Sequence, residues 1–440
     1  MLPNRSHRTG KGTGEPVFVD GTRSPFVKSF GAFAETDTLE LFSRTVQGML
    51  RKVSLDPNEI DEISAGVVIP QPKNPNVARD AALNIGLPDH IHGSTTNRAC
   101  TSSLHTILDA ANKVASGRNE MILAGGVEVL SDVPIVYSKP ARRFLLKLAK
   151  AKSVLAQMKV LKSFSPSAWL PKSPSISEPL TGKTMGQHAE LMAKIYGVTR
   201  EQQDAFSVDS HQKAAAALEK GVLDEEITPI WSGKRFSKCI KQDDLIRPGT
   251  SLEKIARLRP VFDKKRGSIT AATSSPLTDG AAVGLVCDKQ LAMDLGLKPK
   301  LKIIDSVWVG VRPYEELLIG PALVVPQLLK RNRLGVKDVD RFEIHEAFAA
   351  QVLCCLKAMT MDSFLKKHFG DVNLKTEIPP EKLNVNGGAI AIGHPFGATG
   401  ARLCLSVANE LARSDGRYGI IAICAAGGMS GGMLVERIAQ

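Results

Sequence analysis

The sequence predicts an α/β protein built from two echoing halves with a basic insertion between them. Three observations lead there. Strand-like and helix-like segments alternate along most of the chain, the carboxyl half repeats the order of the amino half, and residues 133–177 fit neither pattern.

The amino half opens with a strand candidate at Pro16-Val17-Phe18-Val19-Asp20, followed by the turn-like Gly21-Thr22-Arg23-Ser24-Pro25. A helix pattern covers 39–53, a strand 62–69 and a helix 77–85. Apolar residues return at helical spacing over 104–114, and Met121-Ile122-Leu123-Ala124-Gly125-Gly126 reads as a buried strand. Strands alternating with helices predict helices packed on both faces of a mostly parallel sheet.

The carboxyl half repeats this order, with a strand at 301–305, a helix at 324–330 and a strand at 342–344. The segment from Leu50-Arg51-Lys52 to Ile60-Asp61 echoes that from Leu329-Lys330-Arg331 to Val339-Asp340. Ala111-Asn112-Lys113-Val114-Ala115 to Gly126 likewise echoes Ala408-Asn409-Glu410-Leu411-Ala412 to Gly428. A repeat this long is a duplicated domain rather than a solenoid unit, with a pocket expected where the halves meet.

Composition narrows the functional classes. The 440 residues are 43% hydrophobic and 23% charged, ordinary for a globular chain long enough for two or three cores. No run approaches 18 apolar residues, so no transmembrane helix is read. The seven cysteines form no CxxC pair and are odd in number, which argues against a disulfide framework or structural zinc and for a reducing compartment. A net charge of +12 points to an anionic contact, but with only 5% aromatics there is no basic-aromatic platform for stacking bases. Nucleic acid is therefore not expected as a partner; a phosphate-rich ligand or an anionic membrane fits the charge.

Residues 1–14 carry Arg5, Arg8 and Lys11 and no acid, which reads equally as a basic disordered arm or an organelle-import segment. The last four residues, Arg437-Ile438-Ala439-Gln440, are not a peroxisomal SKL-type address. Residues 133–177 hold nine basic side chains, from Lys139 to Lys172, and no acid. Phe144, Leu145, Leu148, Val154, Leu155, Met158 and Leu161 add an apolar stripe at roughly helical spacing. A basic amphipathic helix of this kind lies on an anionic membrane, docks on a partner, or packs on its own domain with one face solvated. Trp169 reads equally as an interfacial anchor or a core residue.

Four segments carry chemistry. Asn97-Arg98-Ala99-Cys100-Thr101-Ser102-Ser103 places Cys100 at or near a helix amino end, where the dipole and free N–H groups stabilise a thiolate or an oxyanion. Taken alone, such a cysteine is more often structural. In Asn386-Gly387-Gly388-Ala389-Ile390-Ala391-Ile392-Gly393-His394-Pro395-Phe396-Gly397-Ala398-Thr399-Gly400, glycines let backbone approach a bulky ligand and set His394 at a pocket wall as a base for a thiol. Cys424, in Ile423-Cys424-Ala425-Ala426-Gly427-Gly428, is a second thiol able to exchange protons with a carbon acid, or a small buried hydrophobe. His345, in His345-Glu346-Ala347-Phe348, can donate to an oxyanion directly or through water, or be a satisfied core residue. With no HExxH pair or third spaced ligand, no metal is expected at His345 and His394.

Together these segments resemble the thiolase family over nearly the whole chain from Val17 onward. The likeness rests on NxAC, the HEAF loop, NxxGGAIAxGHPxGxxG and C-x-x-GG, with Thr184-Met185-Gly186 and the segment 272–282 in support. The resemblance implies a fold of two βαβαβαββ halves packed as a five-layer αβαβα sandwich. It implies the division 15–132, an inserted loop domain 133–265, 266–298, and 299–440. It also implies thiolytic cleavage of 3-ketoacyl-CoA in fatty-acid oxidation, with Cys100 acylated, His394 activating it, Cys424 exchanging the proton on the acetyl-CoA carbon, and His345 orienting an oxyanion-hole water where many thiolases have asparagine. Ser275 matches a serine near the pantetheine arm, and Met185 and Phe348 match pocket-lining positions. Ala426 departs from the commoner C-x-G-G-G pattern, which bears on whether its N–H can serve a second oxyanion.

Coenzyme A is implied as a substrate, with no permanently bound cofactor. HEAF resembles the thiolase subunit of mitochondrial trifunctional complexes, implying mitochondrial location, an alpha-type partner subunit and a dimer or tetramer. A peroxisome-like organelle or the cytoplasm is the alternative location. The rival readings are biosynthetic formation of acetoacetyl-CoA, a decarboxylating condensing enzyme of the ketosynthase kind, and a non-catalytic scaffold of the same fold.

Overall fold

The computed structural model describes residues 13–164, 166–169 and 177–439. Most of the basic arm, as well as Leu170 and Lys172 of the insertion, lies outside the described residues.

In the amino half the strands run in the order His92–Thr96, Glu62–Gly66, Met121–Glu128, Thr278–Asp288, Pro16–Arg23. The carboxyl half repeats that order as Arg341–Ile344, Tyr418–Ala425, Met429–Arg437, Leu301–Gly310. Where the first half has its His92–Thr96 edge, the second has only a parallel bridge from Phe342 to Leu383. The opening strands of the halves pair antiparallel at Val17–Lys302 and Phe18–Leu301, which joins these nine strands, with the short Val27–Lys28 paired to Thr278–Asp288, into one ten-stranded sheet. The duplication reaches single hydrogen bonds. Asp61 accepts from the N–H groups of Glu120 and Met121 at 2.6 and 3.0 Å, and Asp340 from those of Arg417 and Tyr418 at 2.6 and 3.0 Å.

Period-2 alternation then sets the layers. In Met121–Glu128, Met121, Leu123 and Val127 enter one core with the helices Thr38–Val53 and Val77–Asn84, while Ile122 and Ala124 enter another. In Tyr418–Ala425, Ile421 and Ile423 share that second core, whereas Ile420, Ala422 and Cys424 face a third with the helices Pro321–Arg331 and Ala349–Ala358. The second core belongs to the helices Ser102–Ala115 and Thr399–Arg413, which lie between the two halves of the sheet. The result is the five-layer αβαβα sandwich. Gly400 permits the close approach of the central helices, since a Cβ there would stand 2.2 Å from the Leu104 nitrogen.

The expected mostly parallel sheet is instead mixed: Glu62–Gly66 pairs parallel with both neighbours, and Arg341–Ile344 with Tyr418–Ala425, but every other junction is antiparallel. The reason is local in the carboxyl half. Gly427 and Gly428, at φ +79° and +65°, turn the chain directly from Tyr418–Ala425 into Met429–Arg437. So short a connection can only make an antiparallel pair.

The single basic helix read in the insertion is two, Lys139–Lys150 and Val154–Leu161. Ala151 is extended, and the Ser153 hydroxyl caps the second by accepting from the Ala156 N–H at 3.2 Å. Tyr137, Phe144, Phe164 and Trp169 form an aromatic cluster beneath them, so Trp169 packs on its own segment. No described helix is long and apolar enough to cross a membrane.

Candidate active site

Two loops, each leading into a central helix, meet at the site. In the first, the Asn97 side-chain oxygen accepts from the Ala99 N–H at 3.0 Å, and the Ser102 hydroxyl accepts from the Arg98 N–H at 2.8 Å. These bonds hold Ala99 at φ +48°, a left-handed conformation costly for a residue with a Cβ, and so turn Cys100 out ahead of Ser102–Ala115. In the second, Gly393 at φ +111° makes the turn before His394, whose N–H donates to the Thr278 hydroxyl at 3.1 Å.

His394 Nε2 lies 3.3 Å from Cys100 Sγ, and Nδ1 lies 2.6 Å from the Thr399 hydroxyl. That hydroxyl donates to the Pro395 carbonyl at 2.9 Å, so toward His394 it acts as an acceptor. The proton is thereby assigned to Nδ1, leaving the Nε2 lone pair for the thiol. Backbone N–H groups of Ala426 and Cys100 also face Cys100 Sγ. Ala426 is absent from the residues with positive φ, so its methyl group is accommodated and its N–H remains available.

The sequence suggested that the helix end would hold a thiolate. Burial outweighs it, pushing the Cys100 thiol up to about 12, with Glu128 adding to the effect. Burial also presses His394 down to about 3, with Arg402 as the second cause. The pair therefore rests as thiol and neutral imidazole. Cys424, buried at the end of its strand, is raised well above the ordinary thiol range by burial and then by Cys100.

Cys100, His394 and Cys424 form part of the wall of a cavity of 350 Å³, with Met185, Ser275, Phe348 and Ala426. A mostly apolar pocket with a few converging polar groups is the usual form of a small-molecule site. His345 is not in this lining. It is fully buried one layer behind, its ring 4.1 Å from that of His394, and neither ring nitrogen has a protein partner. Burial, then His394 and Arg402, hold it well below the usual histidine range.

Sequence reasoning missed several residues. Thr399 lay inside the quoted histidine motif, five residues after His394, and that spacing was the available signal. Phe262 and Leu318 complete the apolar wall, with Phe262 edge-on to Phe348 at 5.7 Å. Glu128 accepts from the N–H groups of Val68, Ile69 and Gly397, tying the segment after Glu62–Gly66 to the His394 loop. Among the described residues no group of three His, Cys, Asp or Glu could hold a metal ion, and all seven cysteines are free thiols.

Fold and cavity together set a thiol–imidazole pair in a small-molecule pocket of a duplicated α/β fold. The N-terminal domain of thiolase matches residues 16–290 and the C-terminal domain of thiolase residues 297–437. The chain is 41% identical to a probable 3-ketoacyl-CoA thiolase of Caenorhabditis elegans, covering 96% of this chain and 93% of the relative. It is 39% identical to the mitochondrial trifunctional enzyme subunit beta of Bos taurus, covering 96% and 88%. A solved structure, the Bacillus anthracis acetyl-CoA acetyltransferase, superposes with a TM-score of 0.83 at 30% identity, covering 98% of this chain and all of that one. The chain belongs to the thiolase family.

Proposed function

We propose that the chain cleaves 3-ketoacyl-CoA with coenzyme A, giving acetyl-CoA and a shortened acyl-CoA by way of an acyl-enzyme on Cys100. The observation that carries this reading is the 3.3 Å contact between Cys100 Sγ and a His394 Nε2 freed to accept by Thr399. As the sulfur attacks the keto carbon, the thiol proton passes to Nε2, so charge separates only with bond formation. The carbon–carbon bond breaks and the electron pair leaves as the acetyl-CoA enolate. The new N–H of His394 and a water held by His345 face its oxygen, and the Cys424 thiol protonates its carbon.

In the second half-reaction, coenzyme A gives its thiol proton to the Cys424 thiolate and attacks the acyl group. Cys100 leaves and recovers its proton from His394. The N–H groups of Cys100 and Ala426 are the donors for this oxyanion. Met185 and Phe348 line the acyl and pantetheine space, with Ser275 beside the arm. A coenzyme-A-dependent thiolysis assay over acetoacetyl, medium and long 3-ketoacyl-CoAs tests the reading; no cleavage of any of them would end it.

The wider setting belongs to the same proposal: mitochondrial fatty-acid oxidation, a dimer or tetramer, an alpha-type partner subunit, and contact with an anionic membrane through 133–177. The names of the relatives support the mitochondrial setting and a partner subunit. The membrane contact is supported by Leu146, Val154, Leu155, Met158 and Leu161, all largely exposed among the lysines. The division at 132, 265 and 298 also stands as a proposal.

A further inference from the structure

Arg402 sits four residues into the helix Thr399–Arg413 and is 1% exposed. Its one protein partner is Glu343, at 3.4 Å from Nη1, and neither Nε nor Nη2 has any. Strand alternation puts Glu343 and His345 on the same face, toward this helix, because Phe342 and Ile344 fill the opposite core. The two ring nitrogens of His345 are also without partners, so four orphaned polar atoms are buried in one region behind the cavity. Orphaned buried donors are rare and costly, and a buried ion pair is generally no more stable than an apolar pair of the same volume. Packing alone therefore does not account for an arginine here.

We infer that Arg402, anchored by Glu343, is a positioning residue for the thiol chemistry: its buried charge, and water held on its free donors, fix the orientation of the His345–His394 pair. The inference rests on the roles proposed for Cys100 and His394. Cys100, from the loop before Ser102–Ala115, meets the His394 ring, Cys424 shares the cavity wall with it, Arg402 acts on both rings, and Glu343 and Glu346 flank His345 in sequence; Glu128 acts on Cys100. Arg402 is the one cation acting on both imidazoles. Burial pushes the two acids Glu343 and Glu346 upward, and the charge of Arg402 opposes that shift in both.

The test is the pH profile of iodoacetamide alkylation at Cys100 beside that of thiolysis, in wild type, Arg402→Met, Arg402→Lys and the pair Arg402→Met with Glu343→Gln. Removing a positive neighbour raises an imidazole's pKa, so Arg402→Met is expected to move the acid limb of the thiolysis profile, set by His394 at about 3, up by about one pH unit while alkylation keeps its rise with pH. Lysine should restore it. Equal losses in Met and Lys with an unshifted limb would mean a structural role only and overturn the inference, as would a wild-type profile in Arg402→Met. The paired variant leaves no unpaired acid and serves if the single one misfolds. If neither folds, nitrogen-15 histidine spectra of the wild type decide: no titration of His345 or His394 is expected above about pH 5, and a midpoint above about pH 6 would overturn it. A wild type that cleaves no ketoacyl-CoA fails the proposed function instead, while its alkylation profile remains readable.

Discussion

The Thr399 hydroxyl lies 2.6 Å from His394 Nδ1 while donating its own proton to the Pro395 carbonyl. The side chain that opens the carboxyl-half central helix thus decides which nitrogen of His394 meets Cys100. Thr399→Val keeps the shape and removes the acceptor. The expected result is a fall in kcat of at least about tenfold with the fold intact. Stopped-flow acylation checks it, and a wild-type acylation rate would contradict the tautomer assignment.

His345 has no protein partner for either ring nitrogen, although it is fully buried. If it orients the donor that faces the enolate, His345→Ala should lower kcat by about a hundredfold and change KM little. His345→Asn should recover most of the loss. Steady-state kinetics of both variants decide, and an unchanged kcat in His345→Ala would remove the role.

The pH dependence follows from the resting pair. His394, pressed from its ordinary 6.5 to about 3, stays a neutral base as the pH falls through 6.5. No acid limb in kcat/KM is therefore expected near that pH. Cys100, raised from 9.0 to about 12, should be alkylated ever faster as the pH rises to about 10, without a plateau. A plateau near pH 7 would reveal a preformed thiolate–imidazolium pair and contradict the neutral ground state.

Leu155 is 82% exposed and Val154 72%, on a segment without acids. Binding to anionic vesicles is expected, weakening as salt rises and falling further in Leu155→Glu. Co-sedimentation measures it. Equal binding to anionic and neutral vesicles would remove the membrane contact.

Much of this was legible in the sequence, for identifiable reasons. Cys100, His394 and Cys424 each stand beside small residues at the end of a regular element, where local pattern and chemistry coincide. The duplicated order was readable because Ile60-Asp61 and Val339-Asp340 make the same turn with the same hydrogen bonds. Arg402 was not readable. On an isolated amphipathic helix an arginine marks the solvated side, but Thr399–Arg413 is buried on every face from Thr399 to Asn409 because sheet lies on both sides of it. Phe262 and Leu318 reach the cavity from irregular segments, where no periodicity announces an inward side chain. The thiol's resting state also escaped, since a helix end is visible in sequence and desolvation is not.

The central claim is that Cys100 carries the acyl group. Mixing the enzyme with a 3-ketoacyl-CoA in the absence of free coenzyme A should release one acetyl-CoA per site and leave the shortened acyl group on the peptide holding Cys100, read by mass spectrometry. In Cys100→Ser the fold should persist while the adduct disappears and turnover falls by at least about a thousandfold. An adduct on Cys424 instead, or a Cys100→Ser variant cleaving at the wild-type rate, would contradict the account.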